Sequence, residues 1–120
     1  MIETLTSPSS RVVAIKLRGT LHDVDYRTLE PLVEAALRDG KKARLYAQFD
    51  DFHGWDLHAV WDDMKFGTRH YADFERIAVV GDETWQEWMV KLVRPFTLAS
   101  LRYFPSEETP AAWAWIHEEL

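Results

Sequence analysis

The chain has 120 residues and a formal net charge of −6, enough length for one domain around a single hydrophobic core and too little for two. The longest run of basic residues is Lys41-Lys42, and the acidic balance argues against nucleic acid, whose phosphates require grouped Lys and Arg, and against docking on an anionic membrane. The absence of cysteine excludes disulfides, thiolate catalysis and Cys-based zinc sites.

The start, Met1-Ile2-Glu3-Thr4-Leu5, has no basic segment followed by an apolar one, so no signal peptide is expected. No apolar run approaches the ~18 residues of a membrane span, and a cytoplasmic location is expected. Ile2 to Leu5 alternates apolar and polar, Ser7-Pro8-Ser9-Ser10 has turn chemistry, and Val12 to Leu17 is a β-branched run ending at Gly19. Together they predict a hairpin. The period then becomes helical through Leu29, Leu32, Val33, Ala36 and Leu37. Asp23 and Thr28 both suit an N-cap. Pro31 favours the start near Thr28, with 23–28 as a separate turn, because proline costs least in a first turn. Gly40 closes the helix.

Ala43 to Phe49 alternates as a third strand, and Asp50-Asp51-Phe52-His53-Gly54 is read as a loop. A second helix follows, with Leu57, Val60, Trp61, Met64, Thr68 and Tyr71 on one stripe and Asp56, Asp62, Asp63 and Arg69 opposite. Arg76 to Gly81 is nearly all apolar, as in a strand buried on both faces. Asp82 caps a third helix carrying Trp85, Trp88, Met89, Leu92 and Val93, which Pro95 stops. Thr97 to Phe104 is a fifth strand. Thr109-Pro110 opens a last helix with Trp113, Ile116 and Leu120 on its buried stripe. The order β-β-α-β-α-β-α-β-α predicts one α/β domain over residues 1–120: a mixed five-stranded sheet, parallel over its later strands, with four helices and right-handed crossovers.

This order resembles the STAS domain of anti-sigma-factor antagonists and sulfate-transporter tails, and more narrowly the SpoIIAA-like family of small bacterial proteins related to STAS and SEC14. The residues carrying the resemblance run from Phe52-His53-Gly54-Trp55 through Ala59-Val60-Trp61-Asp62-Asp63-Met64-Lys65-Phe66 to His70. They continue with Phe74-Glu75-Arg76-Ile77-Ala78-Val79-Val80-Gly81-Asp82, Trp85, Glu87-Trp88, Arg102-Tyr103-Phe104 and Ala112-Trp113. The resemblance implies a mixed-sheet fold and a homodimer, and no defined activity; fold alone does not carry function. Anti-sigma-factor antagonists place a phosphorylatable Ser or Thr where the third strand meets the second helix. Here that stretch, Asp50 to Asp56, has neither, and its acidic pair would repel an added phosphate.

No Walker A, G-x-S-x-G or dinucleotide-binding glycine motif is present, and neither a cofactor nor a metal is expected. His58 with Asp62 has metal-ligand spacing but no third ligand, and His22-Asp23 and His70-Asp73 have no nucleophile beside them. The expectation is a non-catalytic protein-interaction or regulatory module, self-associating, with a protein partner met through Asp51, His53, Gly54 and Trp55 and the second helix. The alternative is a small apolar or lipid-like ligand held among Trp61, Phe66, Trp85 and Trp88. Trp55 and Phe66 fall off the buried stripe, and Trp113 and Trp115 cannot both point inward by helical period, so exposed aromatic surface is expected there.

Overall fold

The computed structural model describes residues 1–56, 65–66, 69–70 and 72–120, and of Trp85 and Phe96 the backbone. Strand β1 (Ile2–Thr4) lies antiparallel to β2 (Val12–Leu21). Strands β3 (Ala43–Trp55), β4 (Phe74–Gly81) and β5 (Ser100–Pro105) then add parallel to β2, in the spatial order β1-β2-β3-β4-β5. Helix α1 (Asp23–Ala36) connects β2 to β3, α2 (Thr84–Val93) lies between β4 and β5, and α3 (Thr109–His117) ends the chain's fold. The second predicted helix falls mostly outside the described residues, with its stripe of Leu57, Val60, Trp61, Met64, Thr68 and Tyr71. Lys65, Phe66 and Arg69 are helical.

A sheet wound in one direction by right-handed crossovers carries its crossover helices on one face. Accordingly Leu29 and Val33 of α1 and Val90 of α2 share one core cluster with Val13, Ile15 and Leu17 of β2 and Val79 of β4. The neighbours in sequence, Val12, Ala14, Ala78 and Val80, point to the other face, where Ala112 and Ile116 of α3 meet them. Both faces of β2 and β4 are therefore buried, which is why those strands read as continuous apolar runs.

Three boundaries depart from the sequence expectation. The predicted turn at 23–28 is the first part of α1, which begins at Asp23 with His22 as N-cap; the His22 N–H donates to Asp25 Oδ2 at 2.8 Å. Tyr26, buried like Leu29, is the true first member of the apolar stripe, and Asp23 and Asp25 suit the positive end of the helix dipole. Pro31 therefore sits inside the helix. The predicted loop at 50–54 is strand: β3 continues to Trp55 because β2 also runs on to Leu21 and keeps pairing, Gly19 with Phe52, Thr20 with Gly54, Leu21 with Trp55. The residues that read as a turn mark irregular register there instead, with positive φ at Gly19 (60°), Asp51 (50°) and Gly54 (118°). Helix α2 is capped by Glu83, not Asp82, because Gln86 reaches back to accept the Glu83 N–H at 3.2 Å.

Trp113 and Trp115 both pack on the α3 face of the sheet, contrary to the expectation that one must turn away. They lie about 80° to either side of the centre of the Ala112–Ile116 stripe, and an indole is long enough to reach the sheet from there. Trp113 meets Tyr46 edge-on with centroids 5.0 Å apart, and Trp115 lies 5.9 Å from Phe104. The Arg76 and Arg102 guanidinium groups each sit 5.2 Å from the Trp115 ring centroid.

Candidate functional site

The sequence-predicted site residues separate into two regions. At the end of β3, Asp51 and His53 face solvent, with His53 Nε2 3.5 Å from Asp51 Oδ1. Gly54 supplies a backbone conformation that side chains rarely adopt. Trp55 turns inward rather than forming an exposed aromatic edge: it packs partly buried on the main core, its ring edge-on to Phe52 at 4.9 Å, and its Nε1 donates to the Tyr26 hydroxyl at 2.9 Å. Phe66 is likewise packed against the core, 4.7 Å from the His70 ring and 6.3 Å from Tyr26. The aromatic surface expected at Trp55 and Phe66 is thus folded under, because α1 begins early enough to bring Tyr26 over both.

Trp88 is different. It is 64% exposed, and Leu92, one turn further along α2, is 63% exposed. Val93 and Leu98 are exposed as well, so four of the seven large apolar residues exposed among the described residues fall within eleven positions. The opposite face of α2 anchors the helix through Val90 and the buried Gln86. Gln86 lies so close to β4 that a Cβ at Gly81 would fall 1.8 Å from its Oε1. Trp85 stands in the first turn of the same helix. Trp61 lies outside the described residues, as do His58 and Asp62.

His70 and His22 are held in structural ties. His70, 7% exposed, presents Nδ1 to Asp73 Oδ2 at 2.7 Å and Nε2 to Glu30 Oε2 at 3.2 Å, while Arg69 Nη1 donates to Glu30 Oε1 at 3.0 Å. These contacts fasten the segment before β4 to α1. His22 Nδ1 pairs with Asp56 where β3 ends. A shallow cleft of about 200 Å³ opens beside α1, lined by Asp23, Tyr26, Arg27, Glu30, Lys65, Phe66 and Arg69. Five of these seven residues are charged, which does not suit an apolar ligand.

Two arrangements had no sequence signal. Ser7 Oγ lies 2.7 Å from His117 Nε2, and His117 Nδ1 donates to the Trp113 carbonyl at 2.8 Å. That fixes the ring so that Nε2 accepts the Ser7 proton. The Ser7 oxygen also accepts the Ser9 N–H at 3.2 Å, so the pair pins the β1–β2 turn to the end of α3. Arg44, 4% exposed, passes from β3 beneath α3 and donates from Nη1 to the carbonyls of Ile116 (3.0 Å) and Glu118 (2.7 Å). Its Nε donates to Glu75 Oε1 at 3.3 Å. A guanidinium placed there satisfies helix-end carbonyls and suits the negative pole of the dipole.

This parallel-wound sheet, with crossover helices on one face and a terminal helix on the other, is the SpoIIAA-like arrangement. The chain belongs to the SpoIIAA-like family, whose model matches residues 12–117. It is similar to the crystal structure of an uncharacterised protein of the DUF3478 family with a SpoIIAA-like fold from Shewanella loihica PV-4. The identity is 33%, over 97% of this chain and 92% of that one, with a TM-score of 0.76. No curated protein matches the chain. Among the described residues, no helix is long and apolar enough to cross a membrane.

Proposed function

We propose that this chain is a non-catalytic interaction module that associates with a second copy of itself and uses the solvent face of α2 as its contact surface. One observation carries the reading: Trp88 and Leu92 stand one helical turn apart, each nearly two-thirds exposed. Exposed tryptophan is costly to leave in water and is enriched among the residues that dominate binding energy. The aromatic residues at the end of β3 do not compete for this role, since Trp55 is tied inward to Tyr26. The histidines contribute to the same reading: His22, His70 and His117 are each engaged by a side chain that links two parts of the fold.

Light scattering on the purified protein tests it. A mass near twice 14.1 kDa at tens of micromolar, falling toward the monomer on dilution, supports the module. A monomer mass at every concentration overturns it.

A further inference from the structure

Resting on the self-association reading above, we propose that two chains meet through their α2 helices packed antiparallel about a two-fold axis. In a closed homodimer the same patch must complement itself, and α2 carries a pattern that does so in one orientation only. With Trp88 set at zero around the helix, Leu92 lies about 40° to one side, and Lys91 and Glu87 lie about 60° and 100° to the other. The ridge is apolar, and one flank carries an acid and a base four residues apart. Lys91 Nζ is 3.7 Å from Glu87 Oε1, and both side chains keep about half or more of their surface in solvent (63% and 49%), so both can reach across to a second chain.

A two-fold axis perpendicular to the helices, level with residues 89–90, sets Trp88 opposite Leu92 of the second copy. It also sets Glu87 opposite Lys91 of the second copy, twice over. An axis parallel to the helices instead lays the Glu87–Lys91 flank of each copy against the Leu92 flank of the other, where neither charge meets an opposite charge across the contact. The ten residues of α2 span only about 15 Å, so the contact is at the small end of specific interfaces and the dimer is weak and concentration-dependent. The net charge of −6 works against an anionic lipid surface, and between two copies it adds a long-range repulsion that keeps the contact weak.

The chain lacks cysteine, so single thiols report cleanly on this geometry. Glu87→Cys and Lys91→Cys proteins, each with the Trp88–Leu92 ridge intact, are mixed in equal amounts, oxidised gently, and their disulfides mapped by mass spectrometry. Links between position 87 of one chain and 91 of the other are expected in about fivefold or greater excess over same-position links, because a disulfide requires Cα atoms within ~7 Å. Adding Trp88→Asp to both proteins should abolish them. If same-position links dominate, the antiparallel pairing falls while self-association stands. If the chains are monomeric at every concentration, both fall. Protein that stays monomeric but sediments with phosphatidylcholine vesicles through Trp88 also overturns the proposal, in favour of a lipid surface.

Discussion

The indole Nε1 of Trp55 donates a 2.9 Å hydrogen bond to the Tyr26 hydroxyl, joining the end of β3 to the first turn of α1. Trp55 is therefore a structural tie, and its loss should be read in stability. Trp55→Phe removes the bond while keeping an aromatic ring and should cost about 1 kcal/mol. Trp55→Ala should cost about 2–3 kcal/mol, less than the ~3–5 of a fully buried tryptophan because the ring keeps some solvent contact. Urea denaturation measures both. Self-association should be unchanged by either; loss of association in a folded Trp55→Phe protein would return the interface to the end of β3.

Gly81 leaves the space that Gln86 occupies. An alanine Cβ there would sit 1.8 Å from Gln86 Oε1, and Gln86 is both buried and the closing partner of the α2 cap. Gly81→Ala should destabilise the protein by about 1–3 kcal/mol through overpacking. In Gly81→Ala with Gln86→Ala, the clash is gone, and what remains is the loss of the cap and of the buried Gln86 contacts, part of whose space the new Cβ fills. The double variant should thus be less destabilised than the sum of the two singles, as a chemical-denaturation cycle will show. Strict additivity would mean that the two residues do not compete for one space.

Most of the architecture was legible in the sequence because the apolar periods are strong. The shift from period 2 to period 3.6 after Gly19, and the unbroken run at Ile77–Val80, locate strands and helices without help. The errors have physical causes. Asp50, Asp51 and Gly54 are turn residues by propensity, yet pairing with an extended β2 holds them in a strand, and propensity yields to tertiary pairing. Pro31 misplaced the start of α1 because the burial of Tyr26, Leu29 and Val33 along one face outweighs a proline in mid-helix. Arg44 reads as an ordinary polar position in an alternating strand. Nothing local shows that α3, more than seventy residues later, will lay its carbonyls over that guanidinium. The Ser7–His117 pair spans 110 positions and is invisible for the same reason. Of the candidate site, Trp88 was legible as an aromatic on an amphipathic helix. Its solvent-facing orientation was not, since periodicity alone grouped it with Trp85, Met89 and Leu92 on one stripe.

The tyrosines predict the alkaline limit of stability. Tyr103 donates to the Gly81 carbonyl at 2.7 Å. Its pKa is raised above 10.0 by burial, and further by the negative charges of Glu87, Asp82, Glu107 and Glu83. Tyr46, whose hydroxyl donates to Gln48 Oε1 at 3.0 Å, is raised by burial. A group whose folded-state pKa is raised holds its proton more tightly when folded. Its stabilising contribution is complete below pH 10 and disappears as pH climbs from 10 through the raised value. Thermal midpoints should therefore be insensitive to these groups at neutral pH and fall above pH 10. Tyr103→Phe should cost about 1 kcal/mol at pH 7 and flatten the alkaline decline. An alkaline limb that is as steep in Tyr103→Phe would contradict this.

The Ser7–His117 pair has a serine, an acceptor nitrogen and an oriented ring, the first elements of a nucleophilic site. In a non-catalytic module it only anchors a turn. A fluorophosphonate probe should leave Ser7 unlabelled after prolonged exposure, and Ser7→Ala should cost about 1 kcal/mol in urea unfolding. Covalent labelling at Ser7, abolished by His117→Ala in folded protein, would contradict the non-catalytic reading.

Sedimentation velocity over a dilution series reads the interaction surface on α2 without labels or cross-links. The wild-type protein is compared with Trp88→Asp/Leu92→Asp, whose two positions are exposed enough for the monomer fold to survive, as circular dichroism will verify. A reversible dimer is expected for the wild type and a monomer for the variant at every concentration, with at least about thirtyfold weaker association, the loss expected of a tryptophan that dominates an interface. A wild-type protein that never dimerises, or a folded variant that dimerises as well as the wild type, would contradict it.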